Sequence, residues 1–199
     1  KDKVYALYMT DGVSSRNNKN REKQIALRKK NSLKVSKFLG FKWLNDYCGL
    51  FPDNQMDKVE ILKIIKIIEK AKKKINPNII YTHFPDDLNV DHRKVAEATL
   101  TAFRPEAGEV WEQILSFEVP SSTDYSYFKK NKIFNPNVII DISKNWKKKI
   151  KALKFYKSEI KKFPNSRSIK GIEILAKYRG TQNGLKYAEA FQLIKEIQR

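Results

Sequence analysis

Apolar residues along the chain alternate between two patterns, one typical of strands and one typical of helices. A continuous apolar run at residues 4–10, ended by Asp11-Gly12, predicts a strand buried on both faces. Similar short runs predict further strands at residues 41–44, 78–83, 113–119 and 137–142. The run at residues 187–194 fits either a helix or a strand, and we favour a strand.

Longer segments with helical periodicity separate these strands. The clearest helix is predicted from Asp57, with Glu60 three residues on as a capping pair, and its isoleucines fall on one face while lysines fill the other. A second helix at residues 21–39 ends at Gly40. Others are predicted from the loop at residues 86–89 through Ala102, and at 146–163 and 169–178. The alternation predicts one α/β domain over residues 1–199 with a largely parallel sheet.

Charge and composition restrict the class of protein. Of 199 residues, 41 are Lys or Arg and 22 are Asp or Glu, which gives a net charge of +19. The lysines are scattered over the polar faces of predicted helices. We therefore favour the interpretation that they are ordinary solvated surface residues over the alternative that they attract a phosphate-bearing substrate. No aromatic-interleaved basic motif or zinc knuckle is present, and we expect no nucleic-acid partner.

The single cysteine, Cys48, excludes an intramolecular disulfide scaffold. It is compatible with a reducing compartment, and we expect a cytoplasmic protein. No apolar run approaches the roughly 20 residues of a transmembrane helix.

Candidate chemistry lies in two loops that follow predicted strands. In parallel sheets, sites form where such loops lead from strand to helix. The first loop is residues 10–12. The second, residues 82–93, holds both histidines and three aspartates: His83, Asp86, Asp87, Asp91 and His92. Histidine and carboxylate side chains bind zinc, and a carboxylate beside a histidine fixes its tautomer. The alternative is that these Asp and Asn residues form turns and caps and that His92 lies on the surface.

The string of residues 82–83 and 87–93 resembles the PIG-L/LmbE-like family of zinc-dependent N-deacetylases, many of which act on N-acetylated amino sugars. Residues 9–12 and 51–53 and the spacing of Arg28 from Gly40 are also similar to that family. The resemblance extends over nearly the whole chain. It implies a three-layer, Rossmann-like sandwich with a largely parallel central sheet.

The resemblance also implies the metal and the catalytic residues. His92 would bind Zn²⁺ or another divalent metal, and Asp91 would orient a site group, with a helix N-cap as its alternative role. Asn89 occupies the position where some members place a histidine that stabilises the oxyanion. His83 is a second candidate for that role, or else a strand-end histidine bonded to backbone.

Three further residues are implied to meet the substrate. Arg28 and Asp53 match positions that bind sugar hydroxyls, although Arg28 could be solvated and Asp53 could form a turn. Asp11 is either a turn residue or part of the site floor. The implied substrate is an N-acetylated amino sugar, carried on a nucleotide or a lipid phosphate.

One family feature is absent from the sequence. Family members begin with a strand ending in His-Pro-Asp-Asp, which supplies two metal ligands and the general base, and no such segment occurs here. We expect the native protein to contain it and to need it for activity. The alternative is a basic, non-catalytic module that binds nucleic acid or an acidic glycan on a degenerate deacetylase fold.

Overall fold

A computed structural model describes residues 2–15, 20–126 and 133–198, and in these ranges the chain forms two β-sheets. The smaller sheet pairs β1 (Tyr5–Ala6) with β2 (Lys42–Trp43) in parallel. The larger sheet has the order β3-β4-β6-β5. Its strands are β3 (Ile79–His83), β4 (Gln113–Phe117), β5 (Val138–Asp141) and β6 (Ala188–Glu196).

Five α-helices connect and cover these strands. They are α1 (Arg21–Leu39), α2 (Ile61–Ile75), α3 (Val90–Ala102), α4 (Trp146–Leu153) and α5 (Ile169–Thr181). Gly40 ends α1 with φ 86°, a left-handed conformation that glycine adopts without strain. The prediction of a mixed α/β fold is confirmed, as is the preference for a strand near residues 187–194.

The larger sheet is mixed and is not largely parallel as predicted. Strands β3 and β4 are parallel, but β6 runs antiparallel to both of its neighbours, β4 and β5. An apolar run predicts that a strand is buried but not its direction, since the direction depends on the connection that leads into the strand.

Two helix boundaries also differ from the prediction. Asp57 lies in a 3₁₀ turn, Met56–Lys58, and α2 begins only at Ile61, where Glu60 occupies the N-cap position without a side-chain cap. The predicted capping pair is therefore wrong. The lysine-rich helix predicted at residues 146–163 ends at Leu153 and passes into a 3₁₀ turn.

The main core lies between the larger sheet and the helix pair α2–α3. Isoleucines on one face of α2 contact Ile80 of β3 and Ile114 of β4, with the fully buried Met56 and Trp111 beside them. On the described residues, no helix is both long enough and apolar enough to cross a membrane.

Two strand edges reach the same region of the molecule. Among the described residues, β1 pairs only with β2, and β3 pairs only with β4. Leu7, just after β1, and Ile80 of β3 belong to the same apolar cluster. The residues that follow β1 and the last residue of β3 also border the same cavity.

Candidate functional site

A cavity of about 660 Å³ lies at the carboxyl ends of β1 and β3, beside the first turn of α3. Helix α1 and the segment around Tyr156 and Glu159 form its other walls. The cavity brings together all seven residues that the sequence singled out: Asp11, Arg28, Asp53, His83, Asn89, Asp91 and His92.

The first turn of α3 presents His92 to this cavity. Its Nδ1 lies 3.0 Å from Oδ1 of Asp87, whose side chain is fully buried. The Asp87 carboxylate also accepts hydrogen bonds from the Ser122 hydroxyl, from Thr123 Oγ1 at 2.6 Å and from the Asn89 amide at 2.8 Å. Burial alone would raise the pKa of Asp87, but the bonds from His92, Ser122 and Thr123 lower it to about 2. An ionised Asp87 holds the proton on Nδ1, which leaves the lone pair of His92 on Nε2.

His83, at the end of β3, stacks on His92. The two rings are nearly parallel, 5° apart, with centroids separated by 4.0 Å, and Phe117 packs on His83 at 4.7 Å. Burial, reinforced by the nearby His92, lowers the pKa of His83 to about 3. Its buried Nδ1 makes no hydrogen bond within the described ranges. His83 is thus a neutral ring beside His92 and not a histidine bonded to backbone.

Asn89 and Asp91 hold the local backbone in two different ways. Asn89 is the N-cap of α3, and its Oδ1 accepts from the Asp91 amide at 2.8 Å. The Asp91 carboxylate instead accepts from the amides of Asn54, at 2.5 Å, and Met56, at 3.0 Å. The N-cap role considered for Asp91 therefore belongs to Asn89. Asp91 fixes the loop that carries Asp53.

Asp53 and Asp11 lie in two loops that bind each other. Asp53 accepts a hydrogen bond from Ser15, and its amide donates to Ser14 Oγ at 2.6 Å. Oδ1 of Asp11 accepts from the amides of Val13 and Ser14, both at 2.8 Å. Burial acts to raise the pKa of Asp11, but these amide bonds lower it overall. Asp11 is thus a turn residue that also borders the cavity.

Arg28 is held in the cavity wall and is not a solvated surface residue. Its Nη2 donates to the Gly12 carbonyl at 3.0 Å and lies 2.9 Å from Oε1 of Glu159. The guanidinium also lies 5.9 Å from the centre of the Tyr156 ring. Gly12 has φ 68°, and a Cβ there would come within 3.6 Å of the guanidinium.

Four functional side chains were not assigned a role from sequence: Asp87, Ser122, Thr123 and Glu159. Ser122 and Thr123 reach Asp87 from the loop after β4, more than 30 residues away along the chain. The signal in the sequence was the hydroxyl run Ser121-Ser122-Thr123 after a predicted strand, which is also similar to the PIG-L/LmbE-like family. Glu159 gave no signal among the lysines around it, because its contact with Arg28 depends on tertiary packing.

The described residues do not form a complete metal site. No group of three or more His, Cys, Asp or Glu side chains within them is arranged to bind a metal ion. His92 fits as one ligand, because Asp87 holds Nδ1 and leaves Nε2 for a cation. A zinc site that includes His92 therefore needs donors from outside the described ranges.

Solved structures with the same fold include enzymes of different reactions. An N,N'-diacetylchitobiose deacetylase from Pyrococcus horikoshii has a TM-score of 0.70 and 18% identity, covering 96% of this chain and 73% of its own. The 4-carboxy-2-hydroxymuconate hydratase GalB from Pseudomonas putida has a TM-score of 0.67 and 17% identity, covering 98% and 85%. The zinc-inhibited form of a teicoplanin deacetylase has a TM-score of 0.63 and 13% identity, covering 98% and 87%. At these identities the likeness concerns the fold alone.

The sequence comparison is more specific. No curated protein sequence matches the chain significantly. The family model described as "PIG-L: GlcNAc-PI de-N-acetylase" matches residues 1–103, which include every predicted site residue. The chain belongs to the PIG-L family.

Proposed function

We propose that this protein is a metal-dependent N-deacetylase that removes the acetyl group from an amino sugar or a sugar conjugate. The observation that carries the proposal is the His92–Asp87 pair at the cavity, within the region that matches the PIG-L family. The deacetylases among the solved structures of the same fold give it further support.

In this proposal His92 is a metal ligand. Its Nε2 would hold Zn²⁺, or another divalent cation, with Asp87 keeping the ring in the required tautomer. Bound there, the metal would supply a water molecule whose pKa is lowered to about 7 and a Lewis acid for the amide carbonyl. Asn89 and His83 line the same cavity as His92, and they are the proposed donors to the oxyanion. Asp91 acts by positioning the loop of Asp53.

The remaining ligands and the general base come from a segment outside the described residues, in this proposal a strand that ends in His-Pro-Asp-Asp. The unpaired edges of β1 and β3 support this placement. Strands β1 and β3 each have one edge without a partner strand in the described residues, and both lead to the cavity. A strand between them would join the two sheets into one central, more parallel sheet of a three-layer sandwich.

Arg28 and Asp53 are proposed to bind the hydroxyls of the sugar. Both line the cavity, Arg28 from α1 and Asp53 from the loop held by Asp91. The net charge of +19 favours a substrate whose carrier, outside the cavity, bears a nucleotide or lipid phosphate. The cytoplasmic location expected from the lone cysteine stays a prediction.

The test is acetate release from N-acetylated sugars by the full-length protein supplied with Zn²⁺. We expect stoichiometric metal in elemental analysis, and loss of both metal and activity in His92→Ala. Lys94→Ala is the matched control, because Lys94 lies on the same helix, pairs with the neighbouring Glu97 and is not among the residues that line the cavity. Metal and activity that persist in His92→Ala would refute the assigned site.

The net charge of +19 also favours a second candidate, a basic module that binds polyanions without catalysis. This candidate predicts no bound metal and strong retention on heparin that falls steeply with salt. The metal analysis of the full-length protein distinguishes the two.

A further inference from the structure

The described residues that line the cavity have a charge balance opposite to that of the whole chain. They comprise four carboxylates and two cations: Asp11, Asp53, Asp91 and Glu159, with Arg28 and Lys29. Over the whole chain, by contrast, Lys and Arg outnumber Asp and Glu by 41 to 22. The acidic balance of the cavity is therefore a local feature that composition does not predict.

Glu159 is the one of these carboxylates that comes from outside the region matched by the family model. It follows the 3₁₀ turn Lys154–Tyr156, and its amide donates to the Tyr156 carbonyl at 2.9 Å. Its Oε1 lies 2.9 Å from Arg28 Nη2, and its Oε2 lies 3.8 Å from Arg167 Nη1. With its side chain only 20% exposed, Glu159 is fixed against the cavity wall.

This contact changes what Arg28 can bind. Among the described residues, both close polar contacts of the guanidinium use Nη2, and there its Nε and Nη1 groups remain for a ligand. The Glu159 carboxylate offsets part of the guanidinium charge, so Arg28 attracts a phosphate or carboxylate less than an unpaired arginine would. A sugar hydroxyl can accept from the guanidinium and donate to the carboxylate at once, because it has both a proton and lone pairs.

We propose that Glu159 is a specificity-determining residue that restricts the part of the cavity beside Arg28 to uncharged, hydroxyl-bearing sugar groups. The inference rests on the proposed function, which supplies the sugar. It assigns the neutral sugar to the cavity and leaves an anionic carrier to the lysine-rich surface outside.

The experiment compares neutral and anionic sugars on zinc-supplemented full-length protein. Dissociation constants are measured by calorimetry for N-acetylglucosamine, N-acetylglucosamine 6-phosphate and N-acetylmuramic acid, and kcat/KM is measured for deacetylation of each. We expect wild type to prefer the neutral sugar. In Glu159→Gln, affinity and kcat/KM for at least one anionic sugar should rise about tenfold relative to N-acetylglucosamine, the factor expected when one like charge is removed.

Two variants serve as controls. Glu159→Asp keeps the charge and should keep the preference of wild type. Glu189→Gln removes a carboxylate of a comparable ion pair, 2.5 Å from Lys149 and away from this cavity, and should leave the ratios unchanged. Thermal unfolding of each variant shows that it is folded.

The outcomes distinguish the role of Glu159 from the proposed deacetylase function. Deacetylation with the same neutral-to-anionic ratios in Glu159→Gln as in wild type overturns the role of Glu159 and leaves the proposed function standing. If wild type deacetylates none of the sugars, the proposed function fails, and the ratios of dissociation constants still decide the role of Glu159. A Glu159→Asp variant that loses the preference also overturns it.

Discussion

At the scale of single residues, the site depends on a buried carboxylate with four hydrogen-bond donors. Asp87 accepts from the His92 ring, from Ser122 and Thr123, and from the Asn89 amide. A buried charge is tolerated when such donors replace its hydration. Asp87 thereby fixes the orientation of the His92 ring.

Replacing this carboxylate should weaken metal binding and stability together. In Asp87→Asn, the amide is a poorer acceptor for the His92 N–H, so zinc affinity should fall about 10- to 100-fold. Loss of the charge-assisted bonds should also cost about 1–3 kcal/mol of unfolding free energy. Competition with a chelating dye and urea denaturation measure the two effects. Asp124→Asn, an exposed residue of the neighbouring loop, is the control and should change neither.

Asp11 gives a residue-scale prediction for pH. Since its pKa is lowered in the folded protein, its ionised form stabilises the fold above the usual pKa of 3.8, and this contribution is lost as the pH falls below that value. Asp11→Asn should therefore be less stable than wild type by about 1 kcal/mol at pH 7. The difference should shrink at pH 3 in chemical denaturation. A difference that grows towards low pH would contradict this account.

At the scale of elements, the presence of a helix was predicted more accurately than the residues at which it begins and ends. The isoleucine face of α2 is a long periodic signal, and the structure buries Ile64, Ile65 and Ile68 on it. The start of the helix was mispredicted because Asp57 and Glu60 have capping spacing, while the chain instead forms a 3₁₀ turn there. The buried Met56 and its amide bond to Asp91 hold that turn, and neither is visible in a local pattern.

The two faces of α2 supply a matched pair of substitutions. Ile64 is fully buried in the core, so Ile64→Ala should destabilise the protein by about 2–5 kcal/mol. Leu62, on the same helix, is 55% exposed, and Leu62→Ala should cost less than about 1 kcal/mol. Urea denaturation of both variants gives the comparison. Equal losses would mean that α2 packs by another face.

At the scale of the whole molecule, the sequence predicted which residues meet but not all of what they do. Residues from α1, from two loops and from the first turn of α3 converge on one cavity, as the strand-end argument and the family resemblance implied. The directions of β4, β5 and β6 were not predictable from apolar runs, since burial does not encode direction. The amides that bind Asp91 lie more than 30 residues away in the chain, and Glu159, the acidic partner of Arg28, lies more than 100 residues away, beyond any local pattern.

The excess of Lys and Arg over Asp and Glu gives a prediction for the whole molecule. With a net charge of +19, like-charge repulsion destabilises the compact state at low ionic strength. Raising NaCl from about 10 mM to about 200 mM shortens the Debye length from about 30 Å to under 10 Å, so the melting temperature should rise. Differential scanning fluorimetry in NaCl and in KCl at equal ionic strength separates screening from ion-specific effects. A melting temperature that is unchanged or lower would show that repulsion is already compensated.

The hydrogen bonds from the amides of Asn54 and Met56 to Asp91 join two parts of the cavity. His92, next in the chain, is the proposed metal ligand, and Asp53, in the loop held by Asp91, is a proposed sugar-binding residue. A shift of the first turn of α3 would act on both the imidazole and that loop. In the proposed function, sugar binding at Asp53 is therefore linked to the direction in which His92 offers its lone pair.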